Sequence, residues 1–158
     1  MATQFVFDTP RSRAASVAPS SVAARAAIVL VGRFLFGAIF LMAAVSHFQT
    51  PVIQYAAQAG VPLPGLLVPA SGILAFIGAL SILTGYRSRL GAWLLVAFLV
   101  PVTLSMHAFW NVTDPMMRQM QMAMFMKNVS MLGAALLITQ LGTGPLSLGG
   151  EGSAAGER

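Results

Sequence analysis

The sequence predicts an all-α membrane protein, a four-transmembrane-helix bundle with both termini in the cytoplasm. Three observations carry this prediction. Four apolar stretches, residues 26–47, 65–84, 90–109 and 119–141, occupy most of the 158-residue chain. At about 1.5 Å per residue, roughly 20 residues cross a hydrocarbon core about 30 Å thick. Hydrophobic residues make up 57% of the chain and charged residues only 8%, with a mean hydropathy of +0.80, whereas a soluble domain is about one quarter charged. The third observation is the placement of Lys and Arg, which fixes the direction of the spans.

The first span is preceded by residues 1–21, rich in Ser, Ala and Arg and interrupted by Pro10 and Pro19, which read as a flexible cytoplasmic tail. A cleavable signal peptide fits less well, because the apolar run that follows exceeds the usual h-region of about 7–15 residues. Between the first two spans, residues 49–64 hold no charge but include Pro51, Gly60, Pro62 and Pro64, as expected of an interfacial segment with a short helix over 53–59. Gly85-Tyr86-Arg87-Ser88-Arg89 makes a tight turn between spans two and three, and Asp114-Pro115 is a turn signal before span four. Glycines and Pro145 end the last span, leaving 148–158 as a second cytoplasmic tail. The four-helix membrane domain is thus residues 22–147.

Arg11, Arg13, Arg25, Arg87 and Arg89 all flank apolar segments on one side of this topology, while the other side has only Arg118. The positive-inside rule puts both termini and the Arg87/Arg89 turn in the cytoplasm. The net charge of +5 therefore reads as membrane orientation and not as a nucleic-acid footprint. Arg25, Arg33, Arg87 and Arg89 are the predicted anchors at the inner face, with Arg33 snorkelling towards it. The chain has no cysteine, which excludes disulfides, thiolate-bound zinc, iron–sulfur clusters and thiol relays within it.

His47 and His107 close the first and third spans, which run in the same direction, so both lie at the outer face. Helical spacing aligns Arg33, Gly37, Phe40, Ala44 and His47 on one face, and Val96, Val100, Thr103, His107 and Trp110 on another. Span four enters from outside and carries Lys127 and Asn128 about two turns in. The outer half can therefore gather His47, His107, Trp110, Lys127 and Asn128, with no acid within the four spans to neutralise Lys127. Histidine and lysine donate to the carbonyl oxygens of a quinone, histidine exchanges the accompanying proton, and Phe48, Phe109 and Trp110 offer apolar ring faces. Each residue also has an ordinary reading: Lys127 reaching lipid phosphates, Asn128 tying helices together, the histidines and Trp110 as interfacial side chains.

Two metal readings stand beside this one, haem held by His47 and His107, or copper(I) held by imidazole and the methionines of 116–126. Met122, Met124 and Met126 point in different directions on a helix, which favours packing over ligation. No residue is assigned to a metal outright, and none is assigned as catalytic. Gly72 and Gly78 in span two permit close helix contact, and Pro101 in span three removes a helix hydrogen bond and predicts a kink.

Several segments together resemble a known family. Gly32-Arg33-Phe34-Leu35-Phe36-Gly37 with Ser46-His47-Phe48, then Leu83-Thr84-Gly85-Tyr86-Arg87-Ser88-Arg89-Leu90-Gly91-Ala92, Pro101-Val102-Thr103, His107-Ala108-Phe109-Trp110 and Phe125-Met126-Lys127-Asn128 resemble, in order and spacing, the DoxX (DoxX/DoxD-like) family of small bacterial membrane proteins. The likeness covers about residues 31–147. One departure is the second span, where Ala75 and Phe76 stand near an acid often seen in relatives. The resemblance implies a four-helix protein of the bacterial inner (cytoplasmic) membrane. It also implies association with quinone-linked oxidation, as for a subunit of thiosulfate:quinone oxidoreductase, or with redox-stress complexes.

The function expected from the sequence is a membrane subunit of a redox complex, binding quinone in the outer half of the bundle and passing electrons to or from a partner. Such a chain would be part of a quinone-linked oxidoreductase without being active alone. The alternative is a non-catalytic anchor or assembly subunit, and haem or copper binding is a third reading. The partners expected are lipid, other membrane or peripheral redox subunits, and further copies of the chain in an oligomer.

Overall fold

The computed structural model describes residues 19–149. Most of both expected tails lies outside the described residues. Five α-helices and one 3-10 turn account for the secondary structure among those residues: α1 Pro19–Ser46, α2 Thr50–Gln58, α3 Pro64–Thr84, α4 Ser88–Met106, the 3-10 turn Phe109–Asn111, and α5 Pro115–Leu141. Helices α1, α3, α4 and α5 are each long and apolar enough to cross a membrane, and they match the four predicted spans. The chain is an integral, multi-pass membrane protein.

The ends of the helices follow local chemistry more closely than hydropathy. α1 starts at Pro19, inside the stretch read as a tail, because proline is tolerated in a first turn and the Ala-rich residues 23–27 favour helix. α5 starts at Pro115 and not near Gln119: Asp114 is its N-cap, with Oδ1 accepting the Met117 N–H at 2.8 Å. α4 stops at Met106, where His107 (φ −122°, ψ 37°) leaves the helical region. That early stop alters the predicted face of this helix. Trp110 lies beyond it in the 3-10 turn, and Val100 is exposed, while the buried side is formed by Ala92, Leu95, Phe98, Leu99 and Thr103. On α1, by contrast, Arg33, Gly37, Phe40 and Ala44 are all buried, as their common face predicts.

α1 packs on α3, α3 on α4, and α4 on α5, while α1 and α5 share no comparable interface. The central α3 presents small residues to both neighbours, with Gly72, Ala75, Gly78 and Ala79 buried. A Cβ on Gly78 would come within 2.9 Å of the Gly91 carbonyl oxygen, and one on Gly91 within 3.0 Å of the Gly78 carbonyl oxygen. Backbones this close gain dispersion contacts that lipid cannot supply. Phe40, Ile82, Leu95 and Leu99 fill the remaining core.

Arg33 does not snorkel outward. It is 5% exposed and turns into the protein. Its Nε donates to the Ile82 carbonyl at 3.0 Å and its Nη2 to the Leu83 carbonyl at 2.6 Å. Nη1 donates to the carbonyls of Pro145 and Leu146 at 3.3 and 3.2 Å. Four carbonyls at this end thus share one cation, and that of Ile82 also accepts the Gly85 N–H at 3.2 Å. The segment after α5 is held further by the Leu148 N–H on the Thr84 carbonyl at 3.1 Å. Residues 148 and 149, expected to begin a tail, therefore lie folded against the α3–α4 turn. Gly85 there has φ +72°, and a Cβ would fall 2.7 Å from Ser147 Cα. Arg25, Arg87 and Arg89 are exposed at the same end, and the Arg87 guanidinium lies 5.7 Å from the Tyr86 ring centroid.

Arg33→Leu should lower the stability of the purified protein by about 3 kcal/mol, because the burial is kept and charge-assisted hydrogen bonds are lost. Thermal unfolding in detergent measures this, and Arg33→Lys, with fewer donors, should fall between.

Candidate functional site

At the end of the bundle opposite these arginines, the seam between α1 and α5 encloses a chamber of about 130 Å³. Its walls are Ile39, Phe40, Ala43 and His47 from the α1 side, Phe98, Leu99, Val102 and His107 from the α4 side, and Lys127, Asn128 and Met131 from α5. Four of the five residues predicted to converge do so. The fifth, Trp110, stands outside, its ring packed edge-on against Phe109 and Phe125 at centroid distances of 5.2 and 5.7 Å. Phe109 and Phe125 close that triad at 5.4 Å. Trp110 is thus an aromatic-cluster residue at the surface, and neither it nor Phe48 lines the chamber.

Each chamber residue is held by its element. His47 follows α1 directly, its ring 5.4 Å from the Phe98 ring, with Nδ1 2.6 Å from the Ala43 carbonyl oxygen. Gly72 makes room for it: a Cβ there would lie 2.8 Å from His47 Cβ and 3.0 Å from the Ala44 carbonyl oxygen. His107, capping α4, places Nδ1 2.8 Å from Gln121 Oε1. Gln121 Nε2 donates to the Tyr55 hydroxyl at 2.7 Å, and that hydroxyl donates to the Met106 carbonyl at 3.1 Å. Asn128 is 5% exposed, and its amide has no hydrogen-bond partner among the described residues. Lys127 is exposed at the rim and makes no ion pair among the described residues.

Tyr55 and Gln121 are absent from the sequence-predicted site. Tyr55 lies on the short α2, and Gln121 sits among methionines that drew the reading towards thioether chemistry. Those methionines do not join the histidines. Met116, Met117, Met120, Met122 and Met126 are exposed, and Met131 alone reaches the chamber.

A larger apolar groove of about 420 Å³ lies on the other side of His47, lined by Leu67, Val68, Leu74, Pro101, Val102 and Met106 among others. His47 and Val102 belong to both spaces. The chamber alone is smaller than the roughly 300–1,000 Å³ of ordinary ligand pockets, whereas the groove falls within that range. The arrangement suits an amphiphile with a small planar polar head and an apolar chain. Tyr55 and Gln121 also line a third space of about 310 Å³, beside Gln58, Ser105 and Asn111. A haem between the two histidines would need far more room than the chamber has. Among the described residues, no group of three or more His, Cys, Asp or Glu is placed to hold a metal ion.

The DoxX family model matches residues 28–108, and the SURF4 family model matches residues 69–152. The chain is similar to inner membrane protein YphA of Escherichia coli (strain K12), with 29% identity over 128 residues covering 80% of this chain and 91% of that protein. No solved structure matches the chain significantly.

Gly72→Val should force α1 away from α3 beside His47 and lower the unfolding midpoint in detergent by several degrees, since overpacking costs about 1–3 kcal/mol. Gly32→Ala, at a position with open space around it, is the control and should leave the midpoint unchanged or raise it slightly.

Proposed function

The chain belongs to the DoxX family, and from that premise we propose that it is an inner-membrane subunit of a redox complex that binds quinone at the histidine end of the bundle and exchanges electrons with a partner. One observation carries the proposal: His47, His107, Lys127 and the unpartnered Asn128 amide line a single chamber that adjoins an apolar groove. The quinone ring would occupy the chamber edge and its isoprenoid chain the groove. Lys127 and Asn128 would contact the ring oxygens, His107 would position the head group, and His47, at the partition, would exchange the proton. The positive-inside rule puts this end at the outer face, with both termini in the cytoplasm. The similarity to an inner membrane protein supports the location.

The second reading is a non-catalytic anchor or assembly subunit, in which these polar groups tie helices together and meet lipid. It is favoured by α5, which buries the smallest share of the four spans and leaves a long apolar face for lipid or a partner helix.

Protein purified gently in native lipid should retain extractable quinone. Lys127→Met should weaken rebinding of a short-chain quinone, and His107→Ala that of its quinol, by about tenfold, the scale of one lost charged or polar contact. Absence of quinone from the wild-type preparation, together with failure to take it up, sinks the proposal. Electron transfer by the partner that survives both substitutions favours the anchor.

A further inference from the structure

The hydrogen-bond chain beside the chamber fixes which nitrogen of each imidazole carries the hydrogen. The Met106 carbonyl can only accept, so the Tyr55 hydroxyl hydrogen points to it. The Tyr55 oxygen then accepts from Gln121 Nε2. This fixes the Gln121 amide with Oε1 facing His107, so His107 Nδ1 bears the hydrogen. The Ala43 carbonyl imposes the same tautomer on His47 by accepting from its Nδ1. With Nδ1 carrying the hydrogen, Nε2 of each neutral ring is left with a lone pair, an acceptor on a residue that lines the chamber. The remaining titratable group lining the chamber is Lys127; Tyr55 lies one hydrogen bond behind His107, through Gln121.

A quinone head presents only acceptors. Against two imidazole lone pairs it finds no donor, and only Lys127 and the Asn128 NH2 group can serve it. A quinol presents two O–H donors and two accepting oxygens, matching the two Nε2 atoms on one side and the ammonium and amide on the other. We infer that the chamber selects the reduced, dihydroxy form of the head group, with the quinol hydroxyls donating to Nε2 of His47 and His107. The inference rests on the quinone reading above and adds which redox form is held. Sites built to pair a hydroxyl discriminate strongly against analogues that lack it. Tyr55 and Gln121 act as positioning residues: they touch no ligand and hold the tautomer of one that does.

The test uses the full chain in lipid nanodiscs at pH 8, where free imidazole is neutral. Decylubiquinol kept reduced without oxygen, and decylubiquinone, are titrated in parallel, and bound compound is extracted and quantified by chromatography. The quinol should bind at least about tenfold more tightly. Tyr55→Phe should bring the two affinities within about twofold by weakening quinol binding and strengthening quinone binding, because it frees the amide to flip and lets His107 Nε2 carry the hydrogen. A merely structural role would weaken both forms alike. Nitrogen-15 NMR of labelled histidine should show hydrogen on Nδ1 of both rings in the wild type and a mixture at His107 in the variant. Equal affinities, or tighter quinone binding, overturn the inference and leave the quinone reading standing. Binding of neither form overturns both, and hydrogen on Nε2 of either wild-type ring overturns the inference even where the quinol binds.

Discussion

In lipid, apolar side chains gain little by meeting one another rather than acyl chains, so helices must associate through close backbone approach and satisfied polar groups. Here that requirement falls on α3. Its glycines and alanines let α1 come against one side and α4 against the other, and everything at the histidine end is set by those two crossings. Gly72 brings His47 to the chamber wall, while the reciprocal Gly78–Gly91 contact fixes the rotation and depth at which α4 presents Phe98, Val102 and His107. α5 then packs on α4 and the 3-10 turn, and the unfilled angle between α5 and α1 holds the chamber.

The polar groups at the two ends have opposite accounts. At the arginine end a buried cation meets four carbonyls, two of them from the segment that follows α5. At the other end the Asn128 amide makes no hydrogen bond among the described residues and an ammonium has no acid. The first arrangement uses polarity to complete a structure. The second leaves hydrogen-bonding capacity directed at a space, the condition under which a protein site holds a ligand.

How much of this was readable from sequence depended on whether the relevant information was local. Four spans, the face of α1 and the gathering of His47, His107, Lys127 and Asn128 came from hydropathy and helical period, which act over a few turns. The face of α4 was misjudged because the period was carried through Trp110, whereas the helix ends at Met106. Arg33 was misread because its carbonyl partners on α3 and after α5 are far away in sequence. Tyr55 and Gln121 were missed for the same reason. A tyrosine on a short interfacial helix and a glutamine beside methionines become partners only when α2, packed on α3, brings the Tyr55 hydroxyl to the end of α4. The uncharged, proline-bounded segment 49–64 did signal a folded connection, and its one tyrosine was the available clue.

The clasp around Arg33 also orders the assembly of the molecule in time. Two of its acceptors, the carbonyls of Leu83 and Ile82, belong to the second span, while Pro145 and Leu146 are synthesised only after the fourth. During insertion the guanidinium can engage the end of α3 as soon as the first two spans meet. It cannot be fully sheltered until the fourth span is in place and the chain has turned back. Closure of the arginine end therefore has to await the fourth span, and a chain stalled before that point holds a cation that meets only two of its four carbonyls.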